Sequence, residues 1–87
     1  MSQFVYVYVL RSQHDGEFYV GFTRDLKQRL AEHSAGRVAS TCRRVPLDLI
    51  YYEACRDQCD ATAREKYLKT AWGKRYLKGR LRNYLTG

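Results

Sequence analysis

Residues 4–11, FVYVYVLR, carry β-branched and aromatic side chains at both alternating positions. Successive side chains of a strand point to opposite faces, so a run that is apolar at both parities needs cover above and below. The stretch therefore predicts a central strand, with the remaining elements arranged around it. At 87 residues the chain is expected to be one domain, 1–87, with a single core and little stability in reserve.

The following SQHDG contains Asp15-Gly16, a hairpin signal because both residues tolerate positive φ. GEFYVGF, residues 16–22, then reads as a second strand with Phe18, Val20 and Phe22 on one face and Glu17, Tyr19 and Gly21 on the other. A glycine weakens a strand interior, so Gly21 marks a bulge or a place where something approaches closely. Thr23 is read as the hydroxyl cap of a helix, RDLKQRLAEHSAG, with Leu26, Leu30 and His33 on one side and Gly36 as its stop. Residues 37–44 are small, polar and basic, as suits a connector. Pro46 precedes LDLIYYEA, a third strand apolar on both faces. A later helix is expected from near Asp57 or Asp60 to about Thr70, then a break at Trp72-Gly73 and a final basic helix, KRYLKGRLRNYL, interrupted by Gly79. The order β-β-α-β-α-α implies an α+β domain, a three-stranded antiparallel sheet flanked by helices.

Charge narrows the choice of partner. Sixteen Lys and Arg against nine Asp and Glu leave a formal charge of +7, and residues 64–82 hold eight of those cations with Glu65 as the only acid. Such an excess points to a polyanion, with nucleic acid ahead of a membrane surface. FVYVYVL is too short to span a bilayer and no cationic segment precedes it, so the expected location is cytoplasmic, with no membrane partner. Cys42, Cys55 and Cys59 are an odd set without the short spacings of a zinc site, and they are read as structural thiols.

Helical spacing singles out three polar residues. Arg29 and His33 flank the stripe of Leu26 and Leu30, at the margin of the core. Ala61, Glu65, Leu68 and Trp72 follow one another at spacings of four, three and four, which turns the Glu65 carboxylate inward, where it needs a cation or an ion-pair partner. The plainer alternatives are a structural salt bridge from Glu65 to Arg29 or Arg64, and His33 as a C-terminal cap. Tyr8 and Tyr19 are equally open to a packing role. Together, however, these types match what phosphodiester hydrolysis needs: a base near the attacking water, positive charge for the phosphoryl oxygens and a divalent metal. A tyrosine can serve as the base only if nearby cations pull its pKa well below the ordinary value of about 10, or His33 can instead take the tyrosine's proton.

Tyr6-Val7-Tyr8, Tyr19-Val20-Gly21, the helix TRDLKQRLAEHSAG and the segment AREKYLK at 63–69 resemble, in order, the motifs of the GIY-YIG nucleases. The similarity runs from about residue 4 to 80 and is greatest to the small stand-alone bacterial members, related to the excision-repair nuclease N-terminal domain. It implies that Tyr8 and Tyr19 lie near the attacking water, that Arg29 stabilises the phosphate, that His33 is an auxiliary base or phosphate ligand, and that Glu65 binds one Mg2+ or Mn2+ ion. No small-molecule cofactor is expected, and the oligomeric state is left open. Three features depart from the signature: its first glycine is Tyr6 here, Phe22 stands where some members carry a lysine, and the family's occasional late asparagine has no counterpart, Asn83 lying too far along the chain. The sequence thus predicts a metal-dependent endonuclease acting on DNA, with single-stranded, branched or damaged DNA favoured because no recognition domain supplies a sequence code. Arg24, Lys27, Arg43, Arg44, Lys66, Lys69, Lys74 and Arg75 are the expected backbone contacts. The alternative is a nucleic-acid-binding module without catalysis.

Overall fold

The computed structural model describes residues 3–87. Strands β1 (Val5–Ser12), β2 (Phe18–Thr23) and β3 (Leu47–Cys55) form one sheet in the order β2-β1-β3, antiparallel throughout. Helix α1 (Leu26–Ser34) lies between β2 and β3 in the chain, and α2 (Gln58–Leu68), α3 (Ala71–Arg80) and the short α4 (Arg82–Thr86) follow β3. The expected α+β order is present, with β1 in the centre and α4 as an added last turn.

The two faces of β1 are covered differently. Val5, Val7 and Val9 join Val20 of β2 beneath α2 and α3, whose Ala61, Leu68 and Leu77 are fully buried against them. Tyr6, Tyr8 and Leu10 point the other way, toward α1. A bulge keeps both faces supplied on β3: Val9 pairs with Tyr51 but Leu10 with Leu49, leaving Ile50 as the extra residue. The alternation is thereby reset, so Tyr51 faces the valine core while Leu49 and Leu47 share the α1 side with Leu10. That is why LDLIYYEA is apolar at both parities.

Turns and caps follow local chemistry with some corrections. Gly16 takes φ 74° in the β1–β2 hairpin, whereas Asp15 does not need positive φ. Asp25, not Thr23, caps α1: its carboxylate accepts from Gln28 N at 3.1 Å, while Thr23 Oγ1 accepts from Asp25 N one step earlier. Asp57 caps α2, accepting from Cys59 N at 2.7 Å. The break expected at Trp72-Gly73 falls instead at Lys69–Thr70, where Thr70 caps α3 through Gly73 N. Gly73 is buried against the last turn of α2, where a side chain would run into the Tyr67 carbonyl. Because α2 ends at Leu68, Trp72 belongs to the next helix and is 66% exposed, so it does not extend the inward stripe. Replacing Asp57 with alanine strands the first N–H groups of α2 and is expected to lower stability by about 1 kcal/mol, read as a shift in the urea midpoint with unchanged slope.

A polar clamp joins β3 to the helices. Arg64 reaches the Glu53 carboxylate with Nε at 2.9 Å and Nη2 at 2.8 Å, and Tyr51 donates to the same carboxylate at 2.8 Å. The guanidinium also lies over the Tyr67 and Tyr76 rings, 5.4 and 4.7 Å from their centroids. Glu53 is held below the usual carboxylate range by Arg64 and Tyr51, against the burial that opposes it. Arg64 is therefore part of the scaffold and not a free member of the basic C-terminal third.

Candidate active site

Tyr8 is centred between sheet neighbours of opposite size: Gly21 on β2 and Tyr52 on β3. Its ring leans over Gly21, so that a Cβ there would meet Tyr8 Oη at 2.5 Å and Cζ at 2.7 Å. The close approach signalled by the glycine is thus by the other signature tyrosine, a cross-strand neighbour, and not by the first helix or a substrate backbone. With the space above Gly21 filled by its phenol, Tyr8 is only 1% exposed.

Helix α1 brings the second group. His33, buried at the last turn, sets Nε2 2.8 Å from Tyr8 Oη and Nδ1 2.7 Å from Thr41 Oγ1. It is a wedge between sheet and connector, not a helix cap. Arg29, one turn earlier, pairs with Glu32 at 2.8 Å, and its charge acts to lower the Tyr8 pKa. Buried as it is, the Tyr8 hydroxyl has His33 Nε2 as its hydrogen-bond partner among the described residues. The phenol proton then has His33 Nε2 as its acceptor, and Nδ1 carries the hydrogen donated to Thr41. In the other tautomer the buried Tyr8 proton would have no acceptor here.

Burial and charge act together on this chain of groups. Desolvation raises the Tyr8 pKa above its ordinary 10.0, with Arg29 opposing and the charges of Tyr19 and Glu65 adding to the rise. His33 is pushed below 6.5, first by burial and then by the Arg29 charge. Both groups are therefore neutral near pH 7. Tyr19 is half-buried beside them, its ring centroid 5.2 Å from the imidazole and 6.4 Å from the Tyr8 ring.

Glu65 does not reach Arg29 or Arg64; its carboxylate meets Lys69 Nζ at 3.1 Å, and its side chain is 15% exposed. It does face inward, and its charge is felt at Tyr8. Among the described residues no three His, Cys, Asp or Glu side chains gather as a metal cage. One sheltered carboxylate suits a hard cation that keeps most of its waters, as magnesium does, and Lys69 is exposed enough to swing aside.

The expected backbone contacts separate into groups. Arg24 donates to Gln58 at 2.5 Å, and Lys27 is exposed beside it. Lys69 and Lys74 line a hollow with Tyr19, Val20 and Leu77. Arg75 stacks on the exposed Trp72, its guanidinium 4.9 Å from the ring, and Lys66 and Arg43 are exposed. Arg44 is tied down: Nε meets Asp15 at 3.3 Å, its carbonyl accepts from Ser12 Oγ at 2.6 Å, and Nη2 is buried without a partner. It secures the connector to the hairpin. Sequence reasoning missed Thr41, whose only local signal is a hydroxyl in a polar connector.

A three-stranded antiparallel sheet carrying Tyr8 and Tyr19 on two neighbouring strands, with His33 and Arg29 on the helix between β2 and β3, defines the α+β class of the domain. The chain belongs to the GIY-YIG family, whose catalytic-domain model matches residues 4–78. It is 46% identical over 65 residues to a UPF0213 protein of Lacticaseibacillus paracasei, covering 74% of this chain and 72% of that one. A UPF0213 protein of Streptococcus pneumoniae serotype 4 is 39% identical over 70 residues, covering 79% and 70%. The solution NMR structure of a UPF0213 protein from Bacillus halodurans superposes with a TM-score of 0.56 at 30% identity, covering 87% of this chain and 83% of that one. The family is one of endonuclease domains, and the names of these relatives specify no activity.

Proposed function

We propose that the protein is a metal-dependent endonuclease that hydrolyses phosphodiester bonds in DNA. The observation that carries this reading is the hydrogen-bonded set Tyr8, His33 and Thr41, sealed on one side by Gly21, with the Arg29 charge acting on Tyr8. A phenol of raised pKa does not stand as phenolate at neutral pH, so Tyr8 acts as base by accepting a proton from the attacking water while its own passes to His33 Nε2. Neutral His33 is the proton's destination, and Thr41 keeps that nitrogen unprotonated by receiving the hydrogen on Nδ1. Tyr8 is almost sealed, so the water enters together with the substrate. Arg29, oriented by Glu32, offers its remaining N–H donors to the phosphoryl oxygens as their charge grows. Tyr19 walls the site from the β2 edge. A Mg2+ or Mn2+ ion held through water by Glu65 would supply Lewis-acid stabilisation of the leaving oxygen.

The test is a cleavage assay on labelled single-stranded, flapped and duplex DNA with either metal. Cutting by the wild type, abolished in Glu65→Ala with DNA binding retained, supports the reading. Binding without cutting under both metals sinks it. That outcome belongs to the second reading, a non-catalytic nucleic-acid-binding module, which the Lys69 ammonium seated on Glu65 favours.

A further inference from the structure

A further cavity lies away from the Tyr8–His33 pair, on the other flank of α1. It is an open groove of about 560 Å³, within the range of small-ligand sites, floored by Tyr6 of β1 and Tyr52 of β3 and walled by Leu26 and Leu30. Tyr52 pairs directly with Tyr8, and Tyr6 is its diagonal neighbour on the same sheet face. The two rings stand 6.0 Å apart at 60°, and Tyr52 is 53% exposed. Half of the Tyr52 ring is thus open to stack on a flat partner. Arg24 and Lys27 border the groove. Asp25 also lines the groove, its carboxylate accepting from Gln28 N of α1, so with Arg24 and Lys27 the lining carries a formal charge of +1.

We propose that this groove takes an unpaired nucleobase of a DNA strand, stacked on Tyr52 and Tyr6, with its flanking phosphates on Arg24 and Lys27. Flat apolar walls with cations at the edge are what a base and its phosphates require, and a duplex keeps its bases stacked away from such a surface. Tyr6, where the chain departs from the family's signature glycine, is the residue that floors the groove. Because Tyr52 is the cross-strand partner of Tyr8, the groove and the Tyr8–His33 pair share one sheet face, on either flank of α1. The assignment rests on reading the chain as a DNA-cutting domain, but it concerns binding and is measured without cutting.

The measurement is fluorescence anisotropy of a labelled oligothymidylate, and of the same strand with abasic sites, in EDTA. Tyr52→Ala is expected to weaken binding of the intact strand about five- to tenfold and to leave the abasic strand unchanged, and Tyr52→Phe to restore it. Lys27→Gln is expected to weaken both strands alike and to reduce the salt slope by about 1. Equal binding of the intact strand by Tyr52→Ala and wild type overturns the proposal. So does saturable binding of dAMP with no difference between intact and abasic strands, which assigns the groove to a free nucleotide. A protein that shows the Tyr52 pattern but never cuts refutes the nuclease reading alone, whereas one that cuts without the pattern refutes the groove alone.

Discussion

In a Gly21→Ala variant, cleavage is expected to fall about a hundredfold or more while the sheet and helices persist. The added methyl would lie 2.5 Å from Tyr8 Oη and 2.7 Å from Cζ, so the ring has to move. It cannot move freely, because its hydroxyl is held by His33 at 2.8 Å and the whole residue is buried. Overpacking of this kind costs about 1–3 kcal/mol, which a small domain survives in the cold. Activity is more sensitive, since a shift of about 1 Å in a reacting group can cost a factor of 100. Circular dichroism with a denaturation curve separates the two effects. The double variant Gly21→Ala with Tyr8→Phe should be less destabilised than the sum of the singles, because removing the hydroxyl relieves the shortest contact. Wild-type cleavage rates in Gly21→Ala would mean that Tyr8 does not act from the position described.

His33→Gln is expected to lower the rate by about 10²- to 10⁴-fold, the usual worth of a positioned proton acceptor. The pH dependence distinguishes that role from packing. His33 has its pKa lowered below 6.5 by burial and by Arg29, so the wild type should keep full activity through pH 7 and lose it only on the acid side, below the ordinary histidine range. Protonation turns Nε2 into a donor and leaves the Tyr8 proton without an acceptor. Stability should follow the same sense. The unfolded chain binds a proton at about pH 6.5 and the folded chain only at lower pH, so stability is complete above 6.5 and declines as pH falls through the folded value. The His33→Gln variant should lack this contribution while other acidic-limb effects remain. An activity profile of unchanged shape in that variant, at reduced height, would place His33 in the scaffold only.

How much of the site was legible depends on the range of the interaction that builds it. Tyr8 and Tyr19 share a sheet face because strand alternation and the Asp15-Gly16 turn set their register, and Arg29 and His33 share a helix side because they are four apart. Those are local periodicities. The Trp72 extension of the inward stripe failed because Thr70 captures Gly73 N and starts a new helix, a competition between two caps that spacing does not register. Thr23 lost the α1 cap to Asp25 for a similar reason, since both offer an oxygen within three residues of the helix start at Leu26.

Pattern and turn chemistry in the chain alone determined the strand order's centre, the two-sided cover of β1 and the sides on which the candidate groups emerge. Only the packed structure decided that Tyr8 occupies the space over Gly21, that His33 is oriented by Thr41 and that Tyr6 and Tyr52 leave a groove open beside α1. The reason is physical: alternation and helical repeat act over a few neighbouring residues, whereas these contacts join groups far apart in the chain whose distances are set by how the sheet, helices and connector close on one another.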